Sequence, residues 1–116
     1  MSTKLQVLKS DFFRALGHPT RIRILERLVD GAKSVQDLQA ALTLDQPIVS
    51  QHLAALRARN VVTVRREGTQ AYYALRSPLV ADLLRVAREF LNHHLSESQS
   101  ESQSMLRELK REGRRP

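Results

Sequence analysis

The chain has 116 residues, enough for one domain, and with only three Phe and two Tyr its modest core must be built from Leu, Val, Ile and Ala. Nineteen Lys and Arg against twelve Asp and Glu give a formal net charge of +7, most of it from arginine, which grips phosphate through a bidentate fork and points to nucleic acid or an anionic membrane surface. The absence of cysteine excludes disulfides, thiolate metal sites and thiol redox sensing; no signal-peptide pattern and no membrane-length apolar run is present, so the chain is expected in the cytoplasm.

Leu5, Leu8, Phe12 and Leu16 recur at spacings of three and four, which predicts a helix over 5–16. Gly17-His18-Pro19 ends it, and Pro19 suits the start of the next helix. That helix is expected over 20–29, with Ile22, Leu25, Leu28 and Val29 inward and Arg21, Arg23, Glu26 and Arg27 outward. Nothing in the pattern gives His18 a role.

After Asp30-Gly31, Ser34 suits an N-cap with Asp37 three residues on, and Val35, Leu38 and Leu42 form the stripe of a third helix. Thr43-Leu44 is a tight connection. Asp45 is the expected N-cap of a fourth helix, 46–59, with Pro47 in its first turn, Val49, Leu53 and Leu56 on its buried side, and Asn60 as its left-handed stop.

The period then changes from about 3.6 to 2. Val62 and Val64 alternate with Thr63 and Arg65, and Glu67-Gly68-Thr69 leads into Ala71-Tyr72-Tyr73-Ala74-Leu75, which reads as a hairpin. Ser77-Pro78 opens a last helix carrying Leu79, Val80, Leu83, Leu84, Ala87, Phe90, Leu91 and Leu95, and the folded domain is expected over 1–95. Residues 96–104, SESQSESQS, lack apolar side chains and read as a linker or a solvated, frayed helix; 105–116 combine the short apolar stripe of Met105, Leu106 and Leu109 with a basic tail.

The expected fold is therefore mainly α with a small β-hairpin, in the order α-α-α-α-β-β-α, which is a winged helix-turn-helix. The second helix of such a pair enters the major groove and meets base edges near its N-terminus. With Val49, Leu53 and Leu56 inward, Gln46, Pro47, Ser50 and Gln51 face outward as base-reading candidates. The glutamine amides both donate and accept, as adenine requires, and no carboxylate between Gln46 and Asn60 repels phosphate. Arg57 and Arg59 late on the helix, and Arg65 and Arg66 on the wing, suit phosphate contacts; Gly68, beside Thr69, lets the wing tip turn tightly and approach a backbone. Arg21, Arg23 and Arg27 either extend the basic surface or pair with Glu26 or Asp37.

Three segments carry a family resemblance. Leu16-Gly17-His18-Pro19-Thr20-Arg21-Ile22-Arg23-Ile24-Leu25 resembles the L-x-x-P-x-R-x-x-I-L signature of ArsR/SmtB-type repressors. Ile48-Val49-Ser50-Gln51-His52-Leu53-Ala54-Ala55-Leu56 resembles their V-S-x-H-L-x-x-L recognition helix, and 61–68 with Tyr72-Tyr73-Ala74-Leu75 is similar to their wing. The resemblance spans roughly 5–95. It implies a homodimer paired through the first and last helices, repressing transcription from an imperfect inverted repeat. The long apolar stripes permit that pairing independently, with Leu5, Leu8, Phe12, Leu83, Leu84, Ala87, Phe90, Leu91 and His94 as interface candidates.

The family's metal sites look dismantled. One uses cysteines where this chain has Ser34-Val35-Gln36-Asp37-Leu38; the other could begin at Asp82, but Leu84 and Leu95 stand where histidines are expected. The remaining metal candidates are Glu89, His93 and Glu97, four apart on one helix face, a spacing shared with ordinary surface pairs; the expectation is no metal. His52 faces partly inward and reads as a packing or phosphate-orienting residue. No P-loop, G-x-G-x-x-G or H-E-x-x-H occurs, so neither an enzyme nor a cofactor is expected. The expected partners are double-stranded DNA and a second copy, with an unidentified inducer. The alternative is a winged-helix protein-interaction module with only non-specific DNA affinity.

Overall fold

A computed structural model describes residues 3–113. Helix α1 (Lys4–Leu16) starts on a capping box, in which the Thr3 hydroxyl accepts from the Gln6 backbone amide and the Gln6 side-chain oxygen accepts from the Thr3 backbone amide. Helix α2 (Pro19–Leu28) has Pro at its start, where the missing N–H costs no helical bond. A two-residue strand β1 (Lys33–Ser34) precedes α3 (Val35–Leu42), α4 (Gln46–Ala58), the hairpin β2 (Val62–Glu67) and β3 (Gln70–Leu75), and α5 (Pro78–Gly113).

The expected helices and hairpin are present, and β1 is an addition. It pairs antiparallel with β3, Lys33 opposite Tyr73 and Ser34 opposite Tyr72, giving a three-stranded sheet in the order β1-β3-β2. Two residues cannot show a period of two, so only the pairing reveals them as a strand. Ser34 then serves twice: its backbone closes the sheet edge, and its hydroxyl accepts from the Asp37 amide while the Asp37 carboxylate accepts from the Ser34 amide.

The core gathers Ile24, Leu25 and Leu28 from α2, Leu38 from α3, Val49, Leu53 and Leu56 from α4, and Val61 and Val62 at the entry to β2. One inward assignment is corrected. Val29 is 47% exposed and Ile24 is fully buried. The helix stops at Leu28, so Val29 is its C-cap, and Ile24 takes the central position beside Leu25. Asn60 adopts the left-handed conformation expected of it, φ 60°, and Thr43 does the same at the end of α3, φ 55°, which makes the connection to α4 tight.

The chain forms two compact units, dividing between Asp82 and Leu83. The first holds α1 to β3 and the opening of α5. The second is the remainder of α5, an unbroken helix through the serine-rich stretch 96–104. Ser, Glu and Gln give no apolar signal there, but they leave the i to i−4 backbone ladder intact. Met105, Leu106 and Leu109 continue the same helix and are exposed. Of the expected basic tail, residues 114–116 lie outside the described residues. Among the described residues, no helix is long and apolar enough to cross a membrane.

Candidate nucleic-acid interface

The orientation of α4 follows from its three anchors. Val49, Leu53 and Leu56 have no exposed surface, so the helix cannot roll without exposing apolar area. Gln46, Pro47, Gln51 and Ala54 are consequently exposed, with Ser50 half-buried beside them. The Gln46 side-chain amide donates to the Ser50 hydroxyl at 2.6 Å, so two of the candidate readers hold one another on one face, a turn apart.

The start of α4 differs from the expectation in one respect. Asp45 occupies the N-cap position with extended backbone, but its side chain caps nothing; its carbonyl accepts from the amides of Ile48 and Val49. Pro47 in the first turn removes one amide that a cap would serve.

The arginines divide into engaged and open groups. Arg21 donates through Nε to Nδ1 of His52 at 3.1 Å and through a terminal nitrogen to the Ala15 carbonyl at 3.3 Å. Arg23 donates to the Leu42 carbonyl at 3.1 Å. Both therefore tie helices together; neither pairs with Glu26 or Asp37. Arg59 lies 3.5 Å from Asp11 on α1, whose carboxylate also holds Arg14 at 3.2 Å. On the wing, Arg65 pairs with Glu67 at 2.6 Å and lies over the Tyr72 ring at 5.4 Å. Arg57 and Arg66 are exposed. Gly68 has φ 62° at the first of the two turn residues, the pattern of a type II′ hairpin turn, with exposed Thr69 as the second.

One residue gains a function that the sequence reading did not give it. His18 is the N-cap of α2, its Nδ1 accepting from the Thr20 amide at 3.1 Å. The available signal was a side-chain acceptor immediately before a proline at the helix start. The His18 ring also packs against His52 of α4, ring centres 4.5 Å apart. Burial, with the neighbouring charges of His18 and Arg21, pushes His52 below the ordinary imidazole value. The Ser34 backbone and hydroxyl bonds hold Asp37 below the ordinary carboxylate value.

The interface candidates fall on exposed apolar stripes. Leu5 and Leu8 on α1 and Ala87, Phe90, Leu91 and His94 on α5 are exposed, while Phe12, Leu83 and Leu84 are half-buried. Val7, Phe13 and Val86 add exposed apolar surface that the helical stripes had not included. The three metal candidates do not converge. Glu89 is paired with Arg85 at 3.3 Å and His93 with Glu97 at 3.1 Å, and no group of three such side chains among the described residues is placed to hold an ion.

Comparison with known proteins places this geometry among regulators. Residues 18–64 match the bacterial regulatory proteins of the arsR family. The uncharacterized HTH-type transcriptional regulator Rv0081 of Mycobacterium tuberculosis is 43% identical over 97 residues, 83% of this chain and 85% of that protein. Its crystal structure superposes with a TM-score of 0.77, covering 84% of this chain and 98% of that one. A probable mercury resistance operon repressor of Streptomyces lividans is 38% identical over 77 residues, 66% of this chain and 62% of the repressor. The solution structure of the homodimeric winged helix-turn-helix DNA-binding domain Mb0332 from Mycobacterium bovis, a possible ArsR-family regulator, has a TM-score of 0.75 at 29% identity, covering 80% of this chain and 86% of that one.

Proposed function

The chain belongs to the arsR family of bacterial regulatory proteins, and from that premise we propose that it is a sequence-specific, DNA-binding transcriptional repressor that acts as a homodimer in the cytoplasm. The observation that carries the reading is the exposed polar face of α4, fixed in place by three fully buried residues behind it. On it, Gln46, Pro47, Ser50 and Gln51 meet base edges at the N-terminal end, where a recognition helix reads the major groove.

Phosphate contacts come from Arg57 and from Arg66, Gly68 and Thr69 of the wing, joined by Arg59 and Arg65 when DNA displaces Asp11 and Glu67. The exposed apolar stripes of α1 and α5 pair with those of a second copy, and an inverted repeat in the operator mirrors that two-fold axis. The homodimeric state of the Mb0332 domain and the repressor among the relatives support this reading. In this arrangement residues 1–95 bind DNA and dimerise, while α5 runs on through 96–104 and 105–113. An unidentified inducer, a small molecule or a metal, releases the operator.

Selection of duplexes from a random library, followed by titration at fixed salt, tests the proposal. A conserved inverted repeat bound far more tightly than random DNA supports it. Equal affinity for selected and random duplexes sinks the sequence-specific claim and leaves a protein-interaction module.

A further inference from the structure

Three side chains outside the DNA-reading face converge behind α4. His18 caps α2, Arg21 follows one turn later, and His52 projects from α4 toward both. Each contact fixes the position of a proton. The Thr20 amide donates to Nδ1 of His18, and Arg21 Nε donates to Nδ1 of His52, both at 3.1 Å. An imidazole that accepts at Nδ1 carries its hydrogen on Nε2 and is neutral; once protonated, both nitrogens donate and neither bond survives. The rings stand 4.5 Å apart, so two imidazolium groups would also face each other beside a guanidinium.

The surrounding charges do not relieve that conflict. Around Arg21 stand Arg14 and Asp11 from α1 and Arg59 from the end of α4. Asp11 is occupied by Arg14 and Arg59, and among the described residues no carboxylate pairs with His18 or His52. Arg21 also holds the Ala15 carbonyl, so one guanidinium joins α1, α2 and α4.

We propose that His18, Arg21 and His52 are positioning residues for the recognition helix, a clamp that holds α4 against α1 and α2 only while both imidazoles are neutral, so that acid loosens the DNA-reading element. The inference rests on α4 being that element. Its sign follows from the bond that Arg21 donates to Nδ1 of His52, which only the neutral ring accepts, and the lowered His52 value agrees. The unfolded chain binds the proton first, near pH 6.5, so stability present above that pH is lost as pH falls. This opposes the ordinary effect of acid, which adds positive charge to histidines and tightens phosphate binding.

The test compares the full chain with a His18→Asn/His52→Asn variant. Asn caps a helix well, and its Oδ1 sits where Nδ1 was, so it accepts at every pH. The probe is a duplex selected by the wild-type chain at about pH 8, titrated at constant salt down to about pH 5.5. Wild-type affinity should fall by roughly tenfold or more over that range, while the variant stays within about threefold of its own value at the upper pH. His93 and His94 are common to both proteins and cancel.

Long-range proton–nitrogen spectra of the free protein give a readout independent of DNA. Both His18 and His52 should be Nε2–H tautomers at the upper pH. Parallel pH profiles, wild-type binding that tightens in acid, or an Nδ1–H tautomer at either residue overturns the clamp. Should no duplex be selected, the DNA-reading proposal fails while the tautomers still decide the clamp; should the variant not fold, the tautomers and the wild-type profile decide it.

Discussion

In α4, Val49, Leu53 and Leu56 are fully buried within their own chain, whereas in α5 Phe90, Leu91 and Leu95 keep 69%, 50% and 55% of their surface exposed. Both are amphipathic helices, yet they leave opposite faces unpartnered. An apolar face satisfied at home leaves a polar face free for a polar partner, and in α4 that face carries amide and hydroxyl groups suited to base edges. An apolar face left open calls for apolar cover, and in α5 the proposed cover is a second copy. The contrast supports the proposal that one helix reads and the other assembles.

The sharpest way to break this contrast is to cut each helix on its apolar side. Leu53→Ala should destabilise the fold by about 2–5 kcal/mol in denaturant unfolding, since it opens a cavity behind α4. Phe90→Glu with Leu91→Glu should leave the helical signal in circular dichroism nearly intact while sedimentation shifts from dimer to monomer. If the α5 pair unfolds the chain as severely as Leu53→Ala, the division between the two helices is lost.

On the polar side, Gln51→Ala should cost about 1–3 kcal/mol of discrimination at one base pair of each half-site, with little change on random DNA, as read by competition titration. Loss on both duplexes alike would move Gln51 from base reading to backbone positioning.

Ser34→Ala removes the hydroxyl that caps α3 and should lower stability by about 1 kcal/mol. Because Asp37 is held below the ordinary carboxylate value, its bonds to Ser34 stabilise the fold above that ordinary range and are lost as pH falls through the folded value. The variant should therefore show a shallower acid-side fall in thermal-melt midpoint than the wild type.

The smallest effects belong to the wing. Arg66→Ala should weaken selected and random duplexes about equally and lower the logarithmic salt slope by about one. Arg65→Ala should do less, because in the free protein its charge is already paired with Glu67.

How much of this was legible in the sequence depends on the range of each interaction. The buried side of α4 repeats at helical spacing, so Val49, Leu53 and Leu56 fixed its outward face without coordinates. The hairpin announced itself by a change of period and by Gly68, whose positive φ the turn uses. Strand β1 was invisible because two residues have no period and acquire their structure by pairing with Tyr72 and Tyr73. The helix through 96–104 was left open because composition reports burial, and these residues bury nothing. Which arginines are engaged was also hidden, since Asp11 reaches Arg59, Leu42 reaches Arg23 and His52 reaches Arg21 from distant parts of the chain. The same holds for His18, whose packing on His52 exists only once α2 and α4 meet.

The most direct measurement is the affinity and stoichiometry of the full chain on a selected inverted repeat, compared with the same duplex after one half-site is scrambled. A dimer reading both half-sites through α4 binds the intact repeat as two copies, and scrambling weakens it by about a hundredfold or more at fixed salt. One copy per duplex, with the same affinity before and after scrambling, would contradict both the paired α5 helices and the reading face of α4.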